Sequence, residues 1–535
     1  MIKRRKLVAL LSLALVTSMI FSACGSGSQA GSSSGQSKAG STAAASGEAK
    51  SKDNDLVIAM SESVLTLDPA NMTSTTTISA NRTLYESLLT FDKDMKIQPL
   101  LAKSYDVSKD GKTYTFHLQT GVKFTDGTDF NADAVKANIE RAMNEKNNLK
   151  VRKYFAEVKE IKCPDASTVQ VILSKPYSTF LNKMTNFGII SLKAIQGGAN
   201  LNNTADGTGP YKLKEWVQGD HLIVVRNDSY WGKKPTVNSL TFKVVPESGA
   251  RIAMLQTGEA DMIYPMPSDQ IKAVDGTKNI KVESVPSNIV FYATINMSKK
   301  PFNDVRVRQA MNYVINKDAF IKVVFGGYGN HATSPMASTT QYYSKQNEYS
   351  YNVQKAKELL KEAGYPNGFS TSIWSDNTSD SQRGMQFINQ ELAQVGIKVD
   401  VQPMESATLN AKINEATSAA DSKIQMWYCN WSPSSGDADG ALRALFYSKS
   451  IPPTNANTSY YSNAKLDSLL DQGLVESDPS KLTSIYAQAQ KTIWDDAPWL
   501  FLGQPVVQYG IKSYVSNVYM LADGSINCAQ AALAH

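Results

Sequence analysis

Residues 427–439 read Trp427-Tyr428-Cys429-Asn430-Trp431-Ser432-Pro433-Ser434-Ser435-Gly436-Asp437-Ala438-Asp439. Aromatic faces followed by a loop with two carboxylates are what a cleft for a small polar ligand needs: apolar walls and a few orienting charges. The competing reading puts Trp427 and Trp431 in the core. The two acids are harder to bury, since Asp goes inside only with a partner. Their own competing role is to cap a helix through Ala441, Leu442 and Leu445. Tyr264-Pro265-Met266 and Tyr292-Ala293-Thr294-Ile295-Asn296 are further segments of this kind, which adds Tyr264, Met266 and Asn296 to the candidate ligand contacts.

Bond-making chemistry finds little support. The chain has four His, at 117, 221, 331 and 535, and no two are spaced i, i+4. No His-Glu-x-x-His, Cys-x-x-Cys or phosphate loop occurs, and residues 56–535 hold no Gly-x-Ser-x-Gly elbow. A glycosidase-type carboxylate pair has no positive support among the many acids. No metal or cofactor is expected, and the chain reads as a binder rather than an enzyme.

The N-terminus says where the binding happens. Lys3, Arg4, Arg5 and Lys6 precede Leu7–Ala23, which is apolar apart from Ser12, Thr17, Ser18 and Ser22. That run is short for a spanning helix and suits a secretory signal. Its ending, Phe21-Ser22-Ala23-Cys24, resembles the lipobox of bacterial lipoproteins, with Phe21 where Leu is usual. The competing reading is an ordinary signal peptide with an incidental Cys. The expectation is a signal peptide over 1–23, lipid on Cys24, and a flexible linker over 24–55. Gly25 to Asp55 has no aromatic and no branched aliphatic residue, so it cannot bury enough surface to offset the entropy of ordering. The folded part then works at the outer face of the cytoplasmic membrane, held by lipid. That place argues against enzymes that need ATP or nicotinamide cofactors.

Removing the four N-terminal cations from the formal net charge of +6 leaves +2, too little for a nucleic-acid binder. With Cys24 lipidated, Cys163, Cys429 and Cys528 remain. Three thiols cannot all pair. One bridge is open to them, and three separate buried thiols is the simpler reading.

These residues need a scaffold, and the pattern is mixed α and β. Tyr114, Phe116 and Leu118 alternate over a strand at 112–118, flanked by Asp110-Gly111 and Asp126-Gly127 turns. Asn131 caps a helix that buries Val135, Ile139 and Ala142. Strands follow at 168–173 and 222–226. Asp304 opens a helix with Val307, Ala310, Met311, Val314 and Ile315 on one stripe, and Asn352 opens another with Ala356, Leu359, Leu360 and Ala363. Gly364 and Pro366 stop it. A strand at 369–374, a helix carrying Met385, Ile388, Leu392 and Val395, and a strand with Ile397, Val399 and Val401 make a βαβ unit with a parallel pair.

The ordered set Leu65-Thr-Leu-Asp-Pro69, Leu100-Leu-Ala-Lys-Ser-Tyr105, Asp110-Gly-Lys-Thr-Tyr-Thr-Phe-His-Leu118, Gly121-Val-Lys-Phe-Thr-Asp-Gly127, Gly207-Thr-Gly-Pro-Tyr211, Met254-Leu-Gln-Thr-Gly-Glu-Ala-Asp261, Pro301-Phe-Asn-Asp-Val-Arg-Val-Arg308 and Glu362-Ala-Gly-Tyr-Pro366 resembles family 5 of the bacterial extracytoplasmic solute-binding proteins, over essentially all of 56–535. Trp431–Asp439, Pro452-Pro-Thr454, Tyr460-Tyr-Ser-Asn463, Asp129-Phe-Asn131 and Trp494-Asp-Asp-Ala-Pro-Trp499 resemble its glutathione-binding branch. The resemblance implies an α/β, two-lobed periplasmic-binding-protein-like fold (class II, cluster C type) with an extra β-rich subdomain. Lobe I would take 56–293 with 505–535 and include the subdomain at about 99–207; lobe II would take 294–504. It implies a monomer that captures glutathione or short peptides and delivers them to the transmembrane subunits of an ABC permease. The same fold could bind haem, a nickel chelate or an oligosaccharide; a secreted hydrolase is the remaining alternative. Peptide binders of the family usually place an Asp three residues after the loop Trp, to hold the ligand amine. Here that position is Ser434, so Asp437, with Asp439 second, is the expected anchor. Arg383 and Arg82 are the expected partners of ligand carboxylates, and Trp427, Tyr428 and Trp431 the expected walls.

Overall fold

The computed structural model describes residues 54–433 and 436–534. The signal segment, Cys24, the linker up to residue 53, and Ser434 lie outside the described residues. One mixed sheet of twelve strands organises the rest, and its two halves share a single strand, Trp499–Lys512. In the first half Asp55–Met60 lies parallel to both Ser239–Val244 and Met262–Tyr264, and His221–Arg226 and Tyr211–Val217 continue the sheet outward. In the second half Val290–Ile295 is antiparallel to Met426–Trp431, beyond which come Ser370–Asp376 and Lys398–Met404.

The shared strand joins the two halves of the sheet. Its first part pairs with Val290–Ile295, and its last part with Ile280–Pro286. Residues 286–290 and 503–506 are therefore the two places where the chain passes from one half to the other. The run Trp499-Leu-Phe-Leu502 is buried on both faces, as expected of a strand covered by helices on each side. Trp499 stacks on Tyr292, with centroids 3.4 Å apart and planes 2° from parallel. Burial of each large side chain here contributes roughly 1.5–3 kcal/mol.

Between the helix Thr75–Leu84 and the strand Tyr211–Val217 the chain builds a separate four-stranded sheet, in the order Ala102–Val107, Thr113–Leu118, Thr168–Leu173, Val158–Asp165. Tyr114, Phe116 and Leu118 face its core, and Gly111 takes the left-handed φ of +65° that the preceding turn requires. Asn131 accepts from the Ala134 N–H at 3.0 Å and starts Ala132–Met143, whose Val135, Ile139 and Ala142 pack on the sheet.

The βαβ reading agrees with the structure: Ser370–Asp376 and Lys398–Met404 pair in parallel, joined by the helix Ser379–Ala393. The stripe from Val307 to Ile315 is buried, but the helix is shorter than that stripe. Val305–Tyr313 ends before Asn316, whose side chain accepts from the Ala319 N–H at 3.0 Å and starts a second helix, Lys317–Val324. Cys163, Cys429 and Cys528 are all free thiols. Among the described residues no helix is long and apolar enough to cross a membrane.

Candidate ligand-binding site

The aromatic strand Met426–Trp431 divides its side chains between its two faces. Tyr428 is buried with the core of the second half, and a Cβ on Gly384 would strike its ring at 2.3–2.5 Å. That close approach is why glycine stands there. Trp427 packs on a small cluster with Trp374 and Leu409. Trp431, at the strand's end, donates its indole N–H to the Gly440 carbonyl at 3.3 Å. Met266 and Asn296 are also interior: Met266 packs with Ile263 and Ile271, and Asn296 donates to the Ile424 carbonyl while accepting from Ser298. Tyr264 is half-buried against the first half's core.

Beyond Trp431 the chain turns into the helix Ala438–Phe446. Asp437 is its N-cap, accepting from the Gly440 N–H at 2.7 Å. The other carboxylate oxygen lies 3.5 Å from Lys183 Nζ, and both side chains are almost wholly buried. Asp439 sits two residues further on, in the first turn, and pairs with Arg443, whose Nε lies 3.0 Å from each carboxylate oxygen. Burial pushes the Asp439 carboxyl up to about 6, against the pull of Arg443. The two acids thus do different work. Asp439 locks Arg443 in place, and Arg443 also binds the Leu470 carbonyl and Asp471. Asp437 faces a cation brought from the other side of the cleft.

Lys183 ends the short helix Phe180–Lys183 of the β-rich part, with its ammonium 5.5 Å above the Tyr154 ring. With Arg82, Asp523, Asn182, Asn288 and Gly436 it lines a narrow recess with room for about one water. Arg82 is held from the helix Thr75–Leu84, where it donates to Ser525 Oγ at 2.7 Å and lies 3.8 Å from Asp523. Asn182 donates to Gln341 at 3.2 Å, and Asn288 accepts from Ser432 at 3.0 Å. Two cations, amides from both halves and the capped turn at Gly436–Asp437 therefore meet at one place.

Arg383 lies elsewhere. It is half exposed on the helix Ser379–Ala393 and pairs with Asp380 at 3.2 Å. Lys183 was missed by sequence reasoning, because a four-residue helix shows no period and nothing nearby marks its lysine as buried. A second recess, of about 1310 Å³ and open to solvent, shares Arg82 and Thr185 with the first. Its wall carries Glu86, which accepts from Tyr230 at 2.6 Å, Trp231 at 2.7 Å and Thr208 at 2.9 Å. Burial pushes the Glu86 carboxyl up to about 7, although the three hydrogen bonds pull it down.

His117, His221 and His331 each pair with an exposed carboxylate, and among the described residues no three His, Cys, Asp or Glu converge as metal ligands. What the geometry can do is hold a small ion of mixed charge between two lobes.

The chain is α/β, and one recess gathers Arg82, Lys183 and Asp523 beside amide side chains. The family described as "Bacterial extracellular solute-binding proteins, family 5 Middle" matches residues 96–452. "Glutathione-binding protein GsiB" of Escherichia coli (strain K12) is 40% identical over 469 residues, 87% of this chain and 91% of that protein. Its counterpart in Salmonella typhi is 39% identical over the same shares. Among solved structures, HbpA2 from Haemophilus parasuis superposes with a TM-score of 0.82 at 25% identity, covering 90% of this chain and all of the other. The periplasmic binding protein DppA from Helicobacter pylori, in complex with the peptide STSA, gives 0.70 at 28% identity, over 90% and 98%. This chain belongs to the bacterial extracellular solute-binding proteins, family 5.

Proposed function

We propose that this protein captures glutathione, or a short peptide, between its two lobes and delivers it unchanged to an ABC permease. One observation carries the reading: Arg82, Lys183 and Asp523 line a single recess, and the buried Asp437 pairs with Lys183 beside it. Glutathione has two carboxylates and one ammonium, the complement of two cations and one anion. Arg offers a planar fork of donors for a carboxylate; that of Arg82 binds Ser525 and lies 3.8 Å from Asp523, which leaves further N–H groups for a ligand. The likeness to proteins named as glutathione-binding supports the same ligand. Closure of the lobes about the strand Trp499–Lys512 sequesters the ligand and creates the face offered to the permease. The work is done outside the cytoplasm, with Cys24 lipid-modified as the tether.

Native mass spectrometry of the freshly purified protein tests this reading. Added glutathione should appear as a one-to-one complex and be recovered intact. Cleaved or otherwise altered glutathione would contradict it.

A further inference from the structure

The recess beside Lys183 is narrow because the two halves touch each other there. The segment 178–183 of the β-rich part belongs to the first half, and three polar contacts join it to the second. The Ser178 N–H donates to the Leu474 carbonyl at 2.9 Å. Asn182 donates to the Gln341 side-chain carbonyl at 3.2 Å. Lys183 Nζ lies 3.5 Å from Asp437, with the lysine side chain 10% exposed and the aspartate 3%.

Each half prepares its own side of these contacts. Leu474 stands in the last turn of the helix Ala464–Val475, and carbonyls at a helix end have no partner within the helix. The Gly440 N–H holds Asp437 at the cap of Ala438–Phe446, and the Lys183 ammonium lies over the Tyr154 ring. Both charges are thus in position before they meet, so little side-chain freedom is lost when they do. Burying the two charges costs most of what their attraction returns, which leaves a modest net gain. Contacts of that strength can hold two lobes together and still release them.

We infer that the segment 178–183 is a closure latch, which fastens the first half to Gln341, Asp437 and Leu474 of the second and favours the closed form through contacts between protein groups alone. The inference rests on closure of the lobes and not on the identity of the ligand. A latch of this kind sets affinity without touching what is bound. Apparent affinity scales with the fraction of the binding-competent form, so a latch that raises that fraction tightens every ligand by the same factor.

Hydrogen exchange on the full chain tests the latch, comparing the wild type with Lys183→Met/Asp437→Asn. That double variant removes both charges and leaves neither buried alone. The Ser178 amide should exchange about tenfold faster in it, because the partner carbonyl lies in the other half. The amides of Phe180 and Gln341 are bonded within their own halves, to Tyr177 and Gly436, and should exchange as in the wild type. Equal loss of protection at all three would mean local unfolding, and unchanged protection at Ser178 would mean that the pair does not hold the halves together; either result overturns the latch. The wild type supplies a second measurement that needs no variant. If its Ser178 amide exchanges as slowly as those of the strand Thr113–Leu118, the halves part only on unfolding and the latch is overturned. The double variant should also bind glutathione, and each short peptide that the wild type binds, more weakly by one common factor of about ten. A loss confined to one ligand would point to direct contact and against the latch. If the wild type binds none of these ligands, the functional reading fails, and exchange at Ser178 still decides the latch.

Discussion

The indole of Trp431 holds the carbonyl of Gly440, 3.3 Å away, and so fixes the turn from which Asp437 reaches Lys183. It ties the end of the strand Met426–Trp431 to the first turn of Ala438–Phe446 and sets the angle of the cap.

Asp437 has two jobs that substitution can separate. Asn is as good a cap as Asp, but Asp437→Asn leaves the Lys183 ammonium buried without its counter-charge, so it should lower the melting temperature by the equivalent of about 3–5 kcal/mol. It removes the charge, and glutathione should bind about 10- to 100-fold more weakly, as for loss of one charge-assisted hydrogen bond of roughly 1.5–3 kcal/mol. Asp437→Ala should lose the same affinity and, in addition, about 1 kcal/mol of stability with the cap. Calorimetry and melting on both variants read the two effects; full affinity in Asp437→Asn would remove the anchor role.

The two arginines named from the sequence should behave differently. Arg82 lines the recess and Arg383 is paired on an exposed helix face. Arg82→Ala should weaken glutathione binding on the order of tenfold. Arg383→Ala should change it by less than about threefold, as for an exposed ion pair worth little. The reverse order of effects would move the carboxylate site to the helix Ser379–Ala393.

Glu86 makes stability depend on pH in an unusual direction. Its carboxyl, raised by burial from the ordinary carboxylate range to about 7, binds a proton more tightly in the folded state than in the unfolded one. The stabilisation from that proton is fully present below the unfolded value and is lost as pH rises through about 7. Between about pH 5 and pH 8 the wild-type unfolding free energy should fall by on the order of 2–3 kcal/mol more than that of Glu86→Gln. Denaturant titrations at the two pH values measure it. Parallel pH dependence in the two proteins would contradict the buried-carboxylate account.

Anchoring should follow Cys24. Cys24→Ala should leave the membrane fraction or accumulate with its signal peptide uncut, and it should not incorporate labelled palmitate. Labelled, membrane-bound protein in the variant would contradict lipid attachment at this residue.

Much of the scaffold could be read from local pattern. The alternation of Tyr114, Phe116 and Leu118, and the caps Asn131, Asp304 and Asn352, depend on neighbours within one turn or one strand, and each sits as that pattern implies. The site was legible only in part. Asp437 stands out because a loop acid after Gly436 has few ways to be buried, and its capping role was already one of its two readings. Residue type could not tell a cleft wall from a core, and so Tyr428, Met266 and Asn296 looked like ligand contacts although they pack inside. Lys183 was silent because its partners, Asp437 and Tyr154, are brought to it by the tertiary fold. The strand Trp499–Lys512 was not read from the sequence; the pairing of Pro505 with Gly329 on one side and of Val506 with Pro286 further on keeps it continuous between the halves.

The measurement that bears most directly on the central claim is a calorimetric titration of the purified protein with reduced glutathione, followed by thermal unfolding of the same samples. One molecule should bind per chain, and saturation should raise the melting temperature, because a ligand that binds only the folded state stabilises it by mass action. No heat of binding and an unmoved melting temperature, with glutathione and with a panel of di- to pentapeptides alike, would contradict it.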